Sequence, residues 1–595
     1  MSQIDKMEPP FWWKDMQLSE VQVMLYGKNI SSYDVTTKEQ HVVTGIVKTE
    51  NPNYLFVTLN TKAITGNVIL LQLKNGKKIL EQRFELRDRR ANSALRESYT
   101  SADVMYLIMS DRFANGNPNN DSHPSCTEQA NRALPGGRHG GDIAGMQAHL
   151  PYLKVLGVTA VWPTPLCEDN DAKYSYHTYG QSDVYKIDPR YGTNEEYVAF
   201  SAACKKQGIK LIKDYVTNHW GAEHWMFKDQ PTYNWFHQFP GYGQTNYRMS
   251  TQFDPHASER DAHYCMDGWF VKSMPDLNQT NPLVLQYLKQ NAIWWIEYAD
   301  LDGFRVDTYS YGDKQAMADW TQTITREYPN FNIVGEVWMY DQAQMAYWQK
   351  DSKIGAIQSF NSHLPSVMDF TLQEAFGTVF KEDKSSWDKG MIKVYNNFAN
   401  DFLYPNPNSL LVFMENHDTP RINHIYPDFK AYRMALGLIL TTRGIPQLYY
   451  GSELGMAGDK DKGDADIRQD FPGGWAGDAH NAFIEQGRTP TQKAYFDYTQ
   501  KLLQWRKNKP LIHQGKLTHF IPEDNIYVYF RHNEQGECAM VVLNNNTDTK
   551  TLTLERFAAF LQHKKIAKDV ISGQQLSLQN PLTIEGKGIF ILECQ

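Results

Sequence analysis

The sequence predicts a multidomain chain: a parallel (β/α)₈ (TIM) barrel with an inserted domain after its third strand, an N-terminal β-sandwich and a C-terminal antiparallel β-domain. Three observations predict it. The 595 residues allow three or four domains at about 150 residues each. Eight apolar runs alternate with longer helical patterns in the middle of the chain, which is the pattern of βα units around a parallel sheet. Short period-2 runs separated by Asn, Gly and Asp turns occupy both ends.

The N-terminal unit, 1–98, reads as an immunoglobulin-like sandwich from VQVMLY, HVVTGIVKT, YLFVTL and VILLQLKNGKKILEQRFEL. RDRRANSALRESYTSAD, poor in apolar residues, reads as a linker. The barrel, 99–506, carries the runs VMYLIMSDRF, GVTAVWPTP, GIKLIKDYVTNH, LDGFRVD, NIVGEVW, SHLPSVMDF, SLLVFMENHD and IPQLYYGSELG. Polar or charged residues close nearly every run, where a barrel of this kind builds its active site from βα loops. The segment 220–275 is too long and too rich in Trp, His, Tyr and Gln for an ordinary connection, and is expected as an inserted domain over the site. Alternation returns in IYVYFRHN, CAMVVLNNN, TLTL and GIFILE, giving a C-terminal β-domain over 507–595.

Composition narrows the function. A net charge of -8 without a basic stripe disfavours nucleic acid and anionic membrane faces as partners, and a neutral substrate fits it. No apolar run reaches the roughly 18 residues of a membrane span, and the start MSQIDKMEPPFWW lacks the charged and apolar regions of a signal peptide. The aromatic fraction of 13% suits stacking on the apolar faces of sugars as well as core packing. Cys126, Cys167, Cys204, Cys265, Cys538 and Cys594 form no C-x-x-C and read as free thiols.

The chemistry concentrates in three carboxylates at run ends. Asp307 closes the fourth run two residues after Arg305, so both side chains point the same way and the guanidinium keeps Asp307 ionised. Glu336 ends the fifth run beside Val334, Val337 and Trp338, surroundings that keep an acid protonated. The seventh run ends in His417 and Asp418, where a third carboxylate favours an oxocarbenium-like transition state. A nucleophilic carboxylate paired with a carboxylic acid is what glycoside hydrolysis with retention needs.

With these motifs the chain resembles the α-amylase family of glycoside hydrolases: DYVTNH (Asp214, Asn218, His219), GFRVD (Arg305, Asp307), GEVW (Glu336) and FMENHD (His417, Asp418) match its conserved regions. The resemblance implies Asp307 as nucleophile, Glu336 as general acid/base and Asp418 as transition-state stabiliser, with Asp214 in structural support. It implies that His219, Arg305 and His417 contact sugar or nucleophile. YSYHTYGQSDVYKIDPRYGT resembles the segment after the second strand, which makes His177 and Tyr179 the residues that hold and stack the sugar.

MPDLN, Met274 to Asn278, resembles the motif of the cyclomaltodextrinase and neopullulanase group, with Asn278 as a further sugar contact. EPPFWW and the near end-to-end similarity to enzymes of Gram-negative glucan users point the same way. The expected substrates are cyclodextrins, maltodextrins and pullulan, cleaved at α-1,4 bonds. The alternatives are an α-amylase, an oligo-1,6-glucosidase or glucosyltransferase of the same family, and a non-catalytic glucan-binding protein. After Asp307 the chain reads TYSY where many relatives carry a small residue and a Lys-His or Asn-Glu pair, on the acceptor side.

DRFANGNPNND gathers Asn115, Asn117, Asn120 and Asp121 around Gly116 and Pro118, a turn that directs hard oxygens inward as calcium prefers. The same turn also closes as an Asx-turn loop without metal. The spacing resembles a structural Ca²⁺ loop of neopullulanase-like enzymes, completed by Gly140 and Asp142. Trp220, Trp225, Trp235, Trp269 and Phe270 are either acceptor-side platforms or packing of the insertion, and Trp294 and Trp295 read as helix core. The similarity to exported enzymes gives a periplasmic location as the expectation, with the cytoplasm as alternative.

Overall fold

The computed structural model describes residues 4–384 and 386–595. All eight apolar runs contain barrel strands: β1 (Met105–Ile108), β2 (Ala160–Pro163), β3 (Lys210–Val216), β4 (Gly303–Asp307), β5 (Asn332–Gly335), β6 (Ser366–Val367), β7 (Leu411–Phe413) and β8 (Ile445–Tyr449). They pair in parallel in the order β6-β5-β4-β3-β2-β1-β8-β7. A parallel bridge from Met368 to Leu411 joins the two ends, so the sheet closes on itself. Every residue of β4 is buried, as both faces of a barrel strand must be. The register Asp214 to Arg305 and Arg305 to Val334 aligns β3, β4 and β5, and brings their C-terminal ends to one rim.

The helix Pro282–Ala299 shows how the outer layer is set. Asn281 caps it by accepting from the Leu283 N–H, Pro282 opens it, and Asp300 ends it in the left-handed region at φ 52°. Trp294 and Trp295 are 1% and 0% exposed, as expected of helix core.

The N-terminal strands form two four-stranded sheets. They sit on the barrel through the stretch expected to be a linker, and this stretch is not a free tether. Glu297, on the barrel helix Pro282–Ala299, is fully buried. It takes Arg89 Nε at 2.9 Å, Ser93 Oγ at 2.7 Å and Tyr328 Oη at 2.8 Å. Arg89 also meets Glu327 at 2.6 Å, and Glu327 accepts the Leu18 N–H of the sandwich at 2.9 Å. Composition hid this because buried ion pairs and surface charge look alike in sequence. Removing one partner of a buried pair leaves an uncompensated charge, so Glu297→Ala is expected to cost about 3 kcal/mol or more in urea unfolding.

The insertion after β3 is built from short helices, Trp225–Lys228 and Glu259–Met266, and isolated bridges. It also ties the sandwich to the barrel. Trp225 stacks on Tyr54 with centroids 6.2 Å apart, and Asp229 accepts from Tyr26 Oη and Asn53 Nδ2, each at 2.9 Å.

The C-terminal domain is a six-stranded antiparallel sheet with a two-stranded ribbon. Its period-2 alternation separates two cores. Tyr527, Tyr529, Val541, Leu543 and Ile591 join the barrel core, whereas Ile526, Val528, Phe530, Met540, Val542 and Leu592 form a core of their own. No helix among the described residues is long and apolar enough to cross a membrane.

Candidate active site

A cleft of about 330 Å³ opens at the C-terminal rim of the barrel, lined by His177, Tyr179, His219, Asp307, Glu336 and Asp418 among others. The strands supply these groups in order. Asp307 is the last residue of β4, Glu336 follows β5 directly, and Asp418 lies in the loop after β7.

One guanidinium organises the two carboxylates. Arg305 Nη1 donates to Asp307 Oδ1 at 2.8 Å and to Asp214 Oδ1 at 3.1 Å, and its Nη2 lies 2.7 Å from Glu336 Oε1. The same-side placement of Arg305 and Asp307 follows from the strand period. Arg305 is fully buried, so its charge acts through little intervening solvent.

Thr308 sets the other side. Its backbone stands at φ 45°, in the left-handed region that a β-branched residue rarely adopts. That turn directs its N–H to Glu336 Oε2 at 2.8 Å, while its hydroxyl donates to Asp307 Oδ2 at 3.1 Å. Strain of this kind persists where the surrounding structure holds it in place, as at a site that must fix two acids together.

The electrostatics separate the carboxylates. Burial pushes Glu336 up to about 8, with Asp307 and Asp418 adding to the shift and Arg305 opposing it. Burial also favours the neutral form of Asp418, yet His417 and the Arg468 guanidinium at 2.7 Å outweigh it and hold Asp418 well below the usual carboxylate range. Asp214 is raised to about 6 by burial against the pull of Arg305. It accepts from Trp162 Nε1 at 2.9 Å and Tyr179 Oη at 3.0 Å, so it braces the site from beneath.

The histidines divide into two groups. His177 and His219 line the cleft, and burial lowers them to about 3 and about 4 respectively, which leaves them as neutral hydrogen-bonding groups. His219 stacks on Phe270 with centroids 5.1 Å apart and has its Nε2 free of protein partners. His417 does not line the cleft. It stacks on Tyr179 at 5.7 Å, with its Nε2 2.7 Å from Tyr179 Oη and 3.1 Å from Asp418 Oδ2. Arg305 is likewise fully buried, and its contact is with Asp307 at 2.8 Å, the nucleophile contact that the resemblance implies; both residues position groups that line the cleft.

Asn278 departs further from expectation. Its Oδ1 accepts from the Thr280 N–H and hydroxyl, and its Nδ2 donates to the Asn234 carbonyl. It holds a turn of the insertion and is not part of the cleft wall. Among the aromatic candidates, Phe270 alone lines the cleft. Trp220 and Trp235 are fully buried, Trp225 packs on the sandwich, and Trp269 Nε1 donates to the His237 carbonyl.

The cleft also holds Met274, the first residue of MPDLN, and three residues outside the sequence motifs, Lys460, Asp464 and Arg468. Thr308 and Tyr311 of the TYSY segment line it too, as does Trp338, which stacks on Phe370 at 4.6 Å. The signal for Arg468 was a charged stretch after the eighth run, DKDKGDADIR. Arg468 pairs with Asp418 at 2.7 Å and Asp464 at 3.1 Å, and donates to the His417 carbonyl at 2.8 Å. Arg468→Met, which keeps the stem and removes the charge, is expected to lower kcat about 10²-fold, with thermal unfolding as the check on folding.

The loop after β1 is rich in side-chain oxygens, the donor type that calcium takes. Asn115 Nδ2 donates to Asp121 Oδ1 at 2.8 Å, which leaves Asn115 Oδ1 buried and without a partner, and Asn120 Oδ1 is likewise unpartnered. Gly140 stands at φ 92°, and a Cβ there would lie 2.6 Å from the Asp121 carboxyl carbon. These hard oxygens fit the ion. Asp142 and Asn117 are otherwise engaged. The Asp142 carboxylate accepts the N–H groups of Gly116, Asn117 and Gly145 as a helix cap, and Asn117 Oδ1 accepts the Asn119 N–H.

Comparison with known proteins agrees with this architecture. A family model described as "Alpha amylase, catalytic domain" matches residues 107–515. Models described as "Cyclomaltodextrinase, N-terminal" and "Cyclo-malto-dextrinase C-terminal domain" match 6–90 and 517–593. The chain is 28% identical over 497 residues to a maltogenic alpha-amylase of Bacillus acidopullulyticus, covering 81% of this chain and 75% of that protein. It is 29% identical over 474 residues to neopullulanase 2 of Thermoactinomyces vulgaris, covering 76% and 71%. Among solved structures, an alpha-amylase of Geobacillus thermoleovorans complexed with acarbose superimposes with a TM-score of 0.67 at 26% identity, covering 84% of this chain and 99% of that one.

Proposed function

The chain belongs to the α-amylase family of glycoside hydrolases, and on that premise we propose that its cleft cleaves α-1,4-glucosidic bonds of cyclodextrins and maltodextrins, with pullulan as a further substrate, retaining the anomeric configuration. The observation that carries this reading is the single Arg305 guanidinium joining Asp307 to Glu336. It favours the short carboxylate spacing of retaining enzymes, about 5 Å, in which one group attacks and the other protonates.

Asp307 attacks the anomeric carbon as Glu336 protonates the departing glycosidic oxygen, giving a β-linked glucosyl-enzyme. Glu336 then takes a proton from water, and the water displaces Asp307 to restore the α-anomer. Asp418, held ionised by Arg468, faces the developing positive charge. Neutral His177 and His219 hydrogen-bond sugar hydroxyls, and the Tyr179 ring stacks on the sugar. Thr308, Tyr311, Phe270 and Trp338 form the side that receives water or a second sugar.

The cyclomaltodextrinase-type models at both ends, and relatives named cyclomaltodextrinase and neopullulanase, support cyclodextrins as preferred substrates. Incubation with β-cyclodextrin, pullulan and soluble starch, followed by chromatography, tests this. Faster release of maltose and glucose from cyclodextrin is the expected result. Preference for starch would make the enzyme an α-amylase, transfer products would point to a glucosyltransferase, and no cleavage would point to a glucan-binding protein.

For the loop after β1 we propose a structural Ca²⁺ held by Asn115, Asn120, Asp121 and the Gly140 carbonyl. The ion would supply a hard charge that ties the loop together and takes no part in bond cleavage. A ligand bound only by the folded chain stabilises it by mass action. Chelator treatment is therefore expected to lower the unfolding midpoint by several degrees, with recovery on adding Ca²⁺, and Asn120→Ala to abolish that response. A periplasmic location is proposed from the likeness to exported enzymes, and cell fractionation tests it.

A further inference from the structure

Cys538 and Cys594 meet at one end of the two middle strands of the six-stranded C-terminal sheet, and neither lines the active-site cleft. Cys538 opens the strand Cys538–Asn544 and Cys594 closes the strand Gly588–Cys594. The strands pair antiparallel with Cys538 directly opposite Cys594, in a ladder running to Asn544 opposite Gly588. Directly opposite residues share a face, with Cα atoms about 4.5–5.5 Å apart. That lies inside the range of roughly 4.4–6.8 Å that a disulfide requires.

The Cys538 thiol donates to the Phe560 carbonyl at 3.9 Å and the Cys594 thiol to the Leu592 carbonyl at 3.7 Å. The neighbouring Cys594 lowers the Cys538 thiol, with Lys564 adding to the effect against burial, and Cys538 together with burial raises the Cys594 thiol. Both cysteines line a cleft of about 840 Å³ together with Lys509, His532, Lys564 and Glu593. Each is 7% exposed, so a small reagent can reach them. The other four cysteines differ in geometry: no strand register among the described residues sets Cys126, Cys167, Cys204 or Cys265 opposite another cysteine, Cys167 facing Ile187, and burial raises all four thiols. The thiolate is the attacking species in exchange, so these four are the inert set.

We propose that Cys538 and Cys594 are a dithiol site that closes to a disulfide by exchange with an external small-molecule disulfide. The Cys538 thiolate attacks one sulfur of that molecule, forming a mixed disulfide and releasing a thiolate that takes up a proton. Cys594 then loses its proton and attacks the Cys538 sulfur, releasing the second half as a thiol. Two protein thiols are oxidised and one disulfide is reduced to two thiols. The closed bond pins the last strand of the chain to its neighbour and restricts the unfolded ensemble.

The full chain treated with oxidised glutathione, freed of reagent, then denatured and alkylated with a maleimide reads this out by mass. Of the six cysteines, four are expected to be alkylated and none to carry glutathione. A Cys538–Cys594 cross-linked peptide should appear, the unfolding midpoint should rise by several degrees, and cleavage of cyclodextrin should be unchanged. Cys538→Ser and Cys594→Ser should show neither the cross-link nor the rise. Six alkylated cysteines, a stable glutathione adduct in place of the cross-link, or the same cross-link mass in Cys538→Ser would overturn the proposal. Peptide mapping of the unaltered chain decides the matter even where a variant folds poorly.

Discussion

Asp307→Ala is expected to lower kcat on β-cyclodextrin by a factor of about 10⁴ or more while leaving the unfolding midpoint within a few degrees of the parent. Removing a nucleophile whose partners act with it as a unit costs nearly the whole catalytic effect. The fold should tolerate the change for a local reason. Asp307 ends β4, and the Arg305 guanidinium it leaves behind still pairs with Asp214 at 3.1 Å and keeps the Glu336 carboxyl oxygen at 2.7 Å as a neighbour. A folded Asp307→Ala enzyme of near-normal rate would remove Asp307 from the chemistry.

Glu336→Gln is expected to show a loss of similar size on maltodextrins but a far smaller loss in releasing fluoride from α-glucosyl fluoride. A fluoride leaving group needs little protonation, so the variant still forms the glucosyl-enzyme; an amide cannot serve as general acid for a sugar leaving group. The pH dependence carries the same signature. Glu336 is raised to about 8, and the protonated form is the one that donates. Activity should therefore hold below that value and fall as pH rises through it, so kcat/KM on maltotriose should show a basic limb near pH 8. A basic limb unmoved in Glu336→Gln would assign that limb to another group.

The carboxylate positions were legible because their determinants are local. A strand of period 2 places Arg305 and Asp307 on one side whatever surrounds them, and polar residues at the ends of buried runs must face the rim of a barrel. What sequence could not show depends on contacts between distant segments. Arg468 reaches Asp418 from the loop after β8 across 50 residues. Asn278 closes the recognisable motif MPDLN, yet its amide is occupied within the insertion. The Trp residues of the insertion read equally well as platforms or as packing; only their burial, complete for Trp220 and Trp235, distinguishes the two. The stretch RDRRANSALRESYTSAD had the composition of a tether, and its arginines find Glu297 and Glu327 only once the barrel helices are in place.

The most direct test of the mechanism is to trap its covalent intermediate. A 5-fluoro-glucosyl fluoride slows departure from the enzyme more than attack, so the intermediate accumulates and its mass can be read on the intact chain and then by peptide mapping. One glycosyl group per chain is expected, carried by the peptide that contains Asp307. A glycosyl group on any other residue, or release of the β-anomer with no adduct on a fully active enzyme, would contradict that mechanism.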